Sequence, residues 1–293
     1  MKTIAIDYLK LIRPRHIVKN LLIFVALFFA FKFDQASIIK AALTFVAFSL
    51  SASSIYIIND IVDRKRDRLH PKKKLRPIAS GRIDIWHAFI VYSLFLAASF
   101  YVSTRVSMDV FWVVLIYFVI NMFYTFGLKN LPIIDVMIIA IGFVLRVVAG
   151  AVALSLPLTH WILLCTFFVA LFLAFGKRKN EMELLNETSK SAHRKSISEY
   201  TDGFIDQMLS LTAGISVVSY TLYTIDPFTV ARFGSANLIY STPFVVYGIF
   251  RYFHLLYNKS DGGDPVTIIC QDPPLILNLI FWLASVLIIY YYR

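Results

Sequence analysis

The chain has 293 residues, of which 58% are hydrophobic and only 16% charged, and its mean hydropathy is +0.70. That balance excludes a soluble domain, whose surface must be wetted, and points to an integral membrane protein. A net charge of +11 suits loops drawn to anionic lipid, so a membrane and no nucleic acid is the expected macromolecular partner.

Apolar runs follow one another at roughly 17–34, 36–58, 85–104, 108–126, 133–153, 159–176, 204–225, 238–257 and 274–292. Each is long enough for a ~30 Å hydrocarbon core, which takes about 20 residues. Nine spans predict an all-α transmembrane bundle forming a single domain over 1–293. A cleaved signal peptide competes for the first run, but that run is too long and lacks a small-residue cleavage pattern.

Lysine and arginine mark the cytoplasmic side of a membrane protein. They crowd the segments 59–84 and 177–203, and the amino-terminal stretch adds Lys2, Lys10, Arg13, Arg15 and Lys19. The opposite side holds Lys32, Lys40, Arg105, Arg232 and Arg293. The amino terminus is therefore expected inside the plasma membrane and the carboxyl terminus outside.

Directly after the second apolar run the chain reads Asn59-Asp60-Ile61-Val62-Asp63-Arg64-Lys65-Arg66-Asp67. Spacings of three and four put Asp60, Asp63 and Asp67 on one helix face. At ~4 Å and an effective dielectric near 20, each like-charge pair costs about 4 kcal/mol. A cation is needed between them, and a few carboxylates completed by phosphate oxygens are a common way of holding Mg²⁺. Past Asp67 the loop bends at Pro71 and Pro77, turns at Gly81, and carries Lys72, Lys73, Lys74 and Arg76. Metal-binding acids beside basic groups suit a diphosphate leaving group. The plainer alternative is a solvated loop whose aspartates pair with neighbouring arginines.

Further along, Asp135 and Arg146 lie eleven residues apart in the fifth span, close to three helical turns and so on one side, about 16 Å apart along the axis. An arginine near mid-membrane costs at least ~2.5 to 3.5 kcal/mol on insertion scales and needs a partner. It is either an anion ligand or a structural arginine bonded to neighbouring helices. Cys165 falls in a span and Cys270 in a loop, and the histidines are scattered, so neither a disulfide nor a zinc site is indicated. Asp261-Gly262-Gly263-Asp264 reads as a turn before the last span. Asn186-Glu187-Thr188 matches a glycosylation acceptor but falls on the side expected to be cytoplasmic.

The run Asn59-Asp60-x-x-Asp63-x-x-x-Asp67 followed by Arg76-Pro77-x-x-x-Gly81 resembles the first signature of the UbiA superfamily of membrane prenyltransferases. Other stretches are similar to its decaprenyl-phosphate phosphoribosyltransferase branch: Arg13-Pro14 through Lys19-Asn20, Tyr124 through Lys129 with Asp135, Gly142 through Arg146, and Gly176-Lys177-Arg178 with Glu181. The second Asp-x-x-x-Asp motif of the aromatic prenyltransferases is replaced here by Lys177, Arg178 and a single carboxylate, Glu181. A more cationic pocket suits a donor with an additional phosphate.

The resemblance implies Mg-dependent transfer of a 5-phosphoribosyl group from phosphoribosyl diphosphate to a polyprenyl phosphate, in cell-envelope biosynthesis. Asp60, Asp63 and Asp67 would hold Mg²⁺ and serve as catalytic residues, and Asn59 would orient that shell. Arg76, Lys129, Lys177 and Arg178 would bind phosphate oxygens, with Tyr124, Asp135 and Glu181 also in the substrate site. Lys19 or Arg146 would hold the lipid phosphate. One alternative keeps the architecture and moves a polyprenyl group from its diphosphate to an aromatic or other small acceptor. Another is an anion transporter, which calls for charged or broken helices near midplane in both halves. A homo-oligomer is compatible with either enzyme.

Overall fold

The computed structural model describes residues 2–70, 73–187, 197, 199–258 and 265–292. Pro71 and Lys72 in the basic loop, Thr188 of the acceptor triplet and the turn at 261–264 lie outside the described residues. The chain packs as two compact units, one built from Met1–Pro157 and the other from Leu158 to the carboxy-terminal helix.

The first unit opens with α1, Lys2–Ile12, then a 3-10 helix, Pro14–Ile23, and a short α2, Phe24–Ala30. After it come the 28-residue α3, Gln35–Val62, the short α4, Arg64–Leu69, and three long helices: α5, Ile85–Val106, α6, Met108–Phe126, and α7, Ile134–Ala153. Their starts follow from the sequence. Asp34, Asp84 and Ser107 each accept a backbone N–H of the first turn, from Ser37, Trp86 and Val110, which satisfies amides that a helix start leaves orphaned.

The core of this unit joins Ile23, Phe48, Val110, Val114, Tyr117 and Ala149. Small residues set the approach of the helices, as is usual where lipid removes the hydrophobic drive between them. Ser99 of α5 donates to the Ala47 carbonyl of α3 at 2.7 Å. Gly150 of α7 lies so near the 3-10 helix that a Cβ there would stand 2.0 Å from the Ile23 carbonyl oxygen.

The second unit contains α8, His160–Glu187, α9, Asp202–Ile225, and α10, Pro227–Phe233. A 3-10 turn, Asn237–Ser241, leads into α11, Thr242–Asn258, and the unit ends with α12, Pro265–Gln271, and α13, Pro273–Tyr291. Tyr220 of α9 ties the bundle together through Ser241 at 2.6 Å and the Trp282 indole N–H at 2.9 Å. Arg251 of α11 pairs with Asp272, which also caps α13.

Among the described residues seven helices are long and apolar enough to cross a membrane. They match seven of the nine expected spans; the first and the eighth are built differently. For 17–34 the structure has the 3-10 helix and α2, and for 238–257 it has a 3-10 turn followed by the 17-residue α11. At about 2.0 Å per 3-10 residue and 1.5 Å per α residue, Pro14–Ala30 still reaches about 30 Å. The tighter winding coincides with Arg15, His16, Lys19 and Asn20, polar residues that an ordinary lipid-facing helix does not carry. Irregular backbone at this depth is tolerated where protein covers it, and Asn20 and Ile23 are both fully buried.

Candidate functional site

The acidic motif sits where α3 gives way to α4. Asp63 is the joint, with φ −84 and ψ 0, and accepts the Asp67 N–H at 2.8 Å. Asp60, Asp63 and Asp67 are all buried, at 3%, 8% and 3% exposure. Burying three carboxylates within eight residues requires compensating charge.

Three cations supply it, and none is an immediate neighbour in sequence. Arg13 and the Nη1 of Arg76 both donate to Asp60 Oδ1, Arg76 at 3.0 Å. The same Arg76 Nη1 lies 2.6 Å from Asp67 Oδ2. Lys129, 2% exposed, places Nζ 2.8 Å from each oxygen of Asp63 and 3.1 Å from Asn59 Oδ1. Three carboxylates thus face three cations. The plainer alternative, pairing with neighbouring arginines of the loop, is met in part by Arg76, 9 and 16 residues from its two partners, while the contacts of Arg13 and Lys129 reach across 47 and 66 residues of chain. Arg68 instead donates from Nε to the Ala79 carbonyl at 3.0 Å.

The helix break also changes how the acids group. Asp60 and Asp67, two turns apart, share Arg76, whereas Asp63 turns to Lys129. Among the described residues no three His, Cys, Asp or Glu side chains stand close enough to hold a metal by themselves. The donor set is nevertheless hard carboxylate oxygen throughout, buried and on one helix end. It fits Mg²⁺ of the kind bound by one or two carboxylates and completed by phosphate oxygens, rather than an all-protein cage.

Arg13 is a site residue that motif spacing did not single out. Its φ of 55 is left-handed, unusual for a side-chain-bearing residue, and it directly precedes Pro14. Such a conformation costs roughly 1–2 kcal/mol. It persists here with the guanidinium on Asp60 and 4.9 Å above the Tyr56 ring. His16 also meets that ring, at 5.2 Å between centroids.

Arg146 lies in the body of α7, 5% exposed, and every hydrogen bond it makes is to a neutral group. Nε donates to Asn20 Oδ1 at 2.7 Å, Nη1 to the Gly142 carbonyl at 2.6 Å, and Nη2 to Tyr117 OH at 3.0 Å. Asn20 in turn donates to Ser49 at 2.9 Å. These are the contacts of the structural alternative. Asp135, in the first turn of the same helix, is fully buried and accepts the Val136 N–H at 2.9 Å. Lys19 and Tyr124 are half-buried, on the 3-10 helix and at the end of α6.

In the second unit Arg178 is buried at 1% and pairs with Glu181 one turn on, while Lys177 is half-buried. Lys179, the next cation, is 2.5 Å from Asp206 Oδ1 and 4.3 Å from the centre of the Tyr257 ring, whose hydroxyl also donates to Asp206 at 2.8 Å. The expectation of a single carboxylate at this place is corrected: Asp206 is a second. It comes from α9, 27 residues from Lys179, a separation that motif spacing within α8 does not reach.

Residues 21–283 match the model of the UbiA prenyltransferase family. The chain belongs to that family. It is a multi-pass membrane protein and a UbiA-family transferase. It is 34% identical to a decaprenyl-phosphate phosphoribosyltransferase of Mycolicibacterium smegmatis, over 97% of this chain and 92% of that protein. It is 33% identical to one of Corynebacterium glutamicum, over 99% of this chain and 88% of that protein. A UbiA homolog from Archaeoglobus fulgidus, solved with GPP and Mg²⁺, superimposes with a TM-score of 0.72 at 20% identity, covering 97% of this chain and 99% of that one. At that identity the likeness speaks for the fold.

Proposed function

We propose that this family member transfers a 5-phosphoribosyl group from phosphoribosyl diphosphate to a polyprenyl phosphate at the cytoplasmic face. The observation that carries it is the acidic joint of α3 and α4, where Asp60, Asp63 and Asp67 are balanced by Arg13, Arg76 and Lys129. Phosphoribosyltransferases at 33–34% identity over nearly the whole chain support the choice of transferred group. The distribution of lysine and arginine supports the cytoplasmic assignment.

Asp60, Asp63 and Asp67 line the place where Mg²⁺ would bind, one or two of them ligating it with the donor's phosphate oxygens completing the shell, and Asn59 orients Asp63's side of it through Lys129. Mg²⁺ bound with the donor would draw charge from the diphosphate oxygens as they depart. The ammonium and guanidinium groups now spent on the aspartates would then turn to phosphate oxygens. Arg76 and Lys129 fill that role. Tyr124 and Asp135 flank Lys129 along the chain and complete the donor site.

The bond from the anomeric carbon to the diphosphate oxygen breaks as an oxygen of the lipid phosphate forms its bond to that carbon. A ring oxygen shares the positive charge, so the transition state is oxocarbenium-like. A phosphate monoester, with a second pKa of about 6, is largely ionised at neutral pH. No side chain has to act as a strong base. Of the two expected holders of the lipid phosphate, Lys19 is favoured, because Arg146 is buried and committed to Asn20, Gly142 and Tyr117.

The deciding experiment offers detergent-purified protein two substrate pairs, with and without Mg²⁺. One pair is phosphoribosyl diphosphate with polyprenyl phosphate; the other is a polyprenyl diphosphate with an aromatic acceptor. The expected result is diphosphate release and a lipid-linked phosphoribose from the first pair only, and only with Mg²⁺. Turnover of the second pair alone would replace this function with the aromatic one.

A further inference from the structure

The loop that carries Arg76 is held down from outside the acidic cluster. Asp7, on α1, is buried at 6% exposure although it lies only six residues after Met1 and 53 residues before Asp60. Its two carboxylate oxygens both accept from Arg82 Nε at 3.0 Å. Arg82 Nη2 then donates to the carbonyl of Leu75 at 2.7 Å. Leu75 is the residue before Arg76, whose guanidinium bridges Asp60 and Asp67.

Beneath this polar strap the same two segments share an apolar contact. Leu11 of α1 packs with Ile57 of α3 and with Ile78 and Ile83 of the loop, all nearly or fully buried. The loop closes on itself through Gly81 at φ 80 and the Ile83 N–H on the Pro77 carbonyl. Hydrophobic packing sets the loop's distance from α1 but is non-directional. The Nε–H shared between both carboxylate oxygens and the Nη2 contact with the carbonyl come from one planar guanidinium, are directional, and fix the backbone orientation at Leu75.

We propose that Asp7 is a positioning residue for the diphosphate site. Through Arg82 and the Leu75 carbonyl it fixes the backbone from which Arg76 reaches both Asp60 and Asp67. Asp7 itself bonds to Arg82 and to none of the three acids. The inference rests on the diphosphate-binding reading of the acidic joint, but not on which group is transferred.

The test is a binding cycle on the full chain in detergent, with Mg²⁺ and inorganic pyrophosphate as the probe. Asp7→Asn is expected to weaken pyrophosphate affinity about tenfold, the size of one lost charge-assisted contact, and Asp7→Glu to restore it to within about twofold. In an Arg76→Ala background Asp7→Asn should add nothing, because the group it positions is gone. Arg82→Gln repeats the measurement from the other end of the strap should Asp7→Asn fold poorly. Equal weakening with and without Arg76, or undiminished affinity in both Asp7→Asn and Arg82→Gln, overturns the positioning role. A wild-type chain that binds no pyrophosphate overturns the diphosphate site itself, and with it this role.

Discussion

Lys129 and Asp63 are 66 residues apart in sequence and meet with Nζ 2.8 Å from both carboxylate oxygens, each residue almost wholly buried. Such a pair is costly to break from one side, because the remaining charge stays in low dielectric without compensation. Lys129→Met should therefore lower stability by roughly 3–5 kcal/mol. The double variant Lys129→Met with Asp63→Leu should recover most of that while remaining inactive. Thermal unfolding in detergent, followed beside turnover, checks both halves. A double variant as unstable as the single one would argue that the pair does not carry the loss.

The acidic joint is already charge-balanced by Arg13, Arg76 and Lys129. Mg²⁺ alone has little unpaired charge to bind there, whereas Mg²⁺ with pyrophosphate brings anions for the cations as well. Thermal shifts should thus be small with either component alone and large with both, approaching about 2.7 kcal/mol at a hundredfold excess over Kd. Removing Mg²⁺ with a chelator should abolish turnover without unfolding the chain. A full shift from Mg²⁺ by itself would mean that the carboxylates bind the ion without phosphate help.

Two glycines predict opposite outcomes for the same substitution. At Gly150 an added methyl would stand 2.0 Å from the Ile23 carbonyl oxygen, which is backbone and cannot swing aside. Gly150→Ala should cost about 1–3 kcal/mol or more as α7 is pushed off the 3-10 helix. Gly214, in α9, has nothing within 4 Å of the same methyl. Gly214→Ala should gain about 0.5–1 kcal/mol from helix propensity. Melting temperatures moving in the same direction for both would contradict the packing described.

Arg146 separates a structural from a ligand role by geometry rather than charge. Its three nitrogens donate in three directions to Asn20, Gly142 and Tyr117, which a lysine cannot reproduce. Arg146→Lys should then lose about 1–3 kcal/mol although the charge is kept, with the KM for the lipid phosphate little changed among molecules that remain folded. A variant with wild-type melting and a raised acceptor KM would make Arg146 a lipid-phosphate ligand after all.

The membrane class, the helical build and the acidic cluster at a helix end are legible in the linear sequence because each depends on local pattern. Apolar runs of about 20 residues and aspartates three and four residues apart need no knowledge of the rest of the chain. The expected spans at 36–58 and 133–153 are found as α3 and α7 with small changes at their ends. The first span is the instructive departure. Its hydropathy is ordinary, but Asn20 finds partners in Ser49 and Arg146, and Gly150 lets its backbone come close, which together accommodate a 3-10 winding that periodicity does not forecast.

Electrostatic repulsion within Asn59–Asp67 already demanded a positive charge nearby, and that much followed from the order of residues alone. Which charges answer was decided by folding. Arg13 arrives through a left-handed turn before Pro14, Arg76 through a loop strapped to α1, and Lys129 from beyond α6. Asp206 likewise reaches Lys179 from another helix. Sequence spacing describes neighbours along one helix, whereas buried charges are paired by whichever helices the apolar core and the small residues bring together.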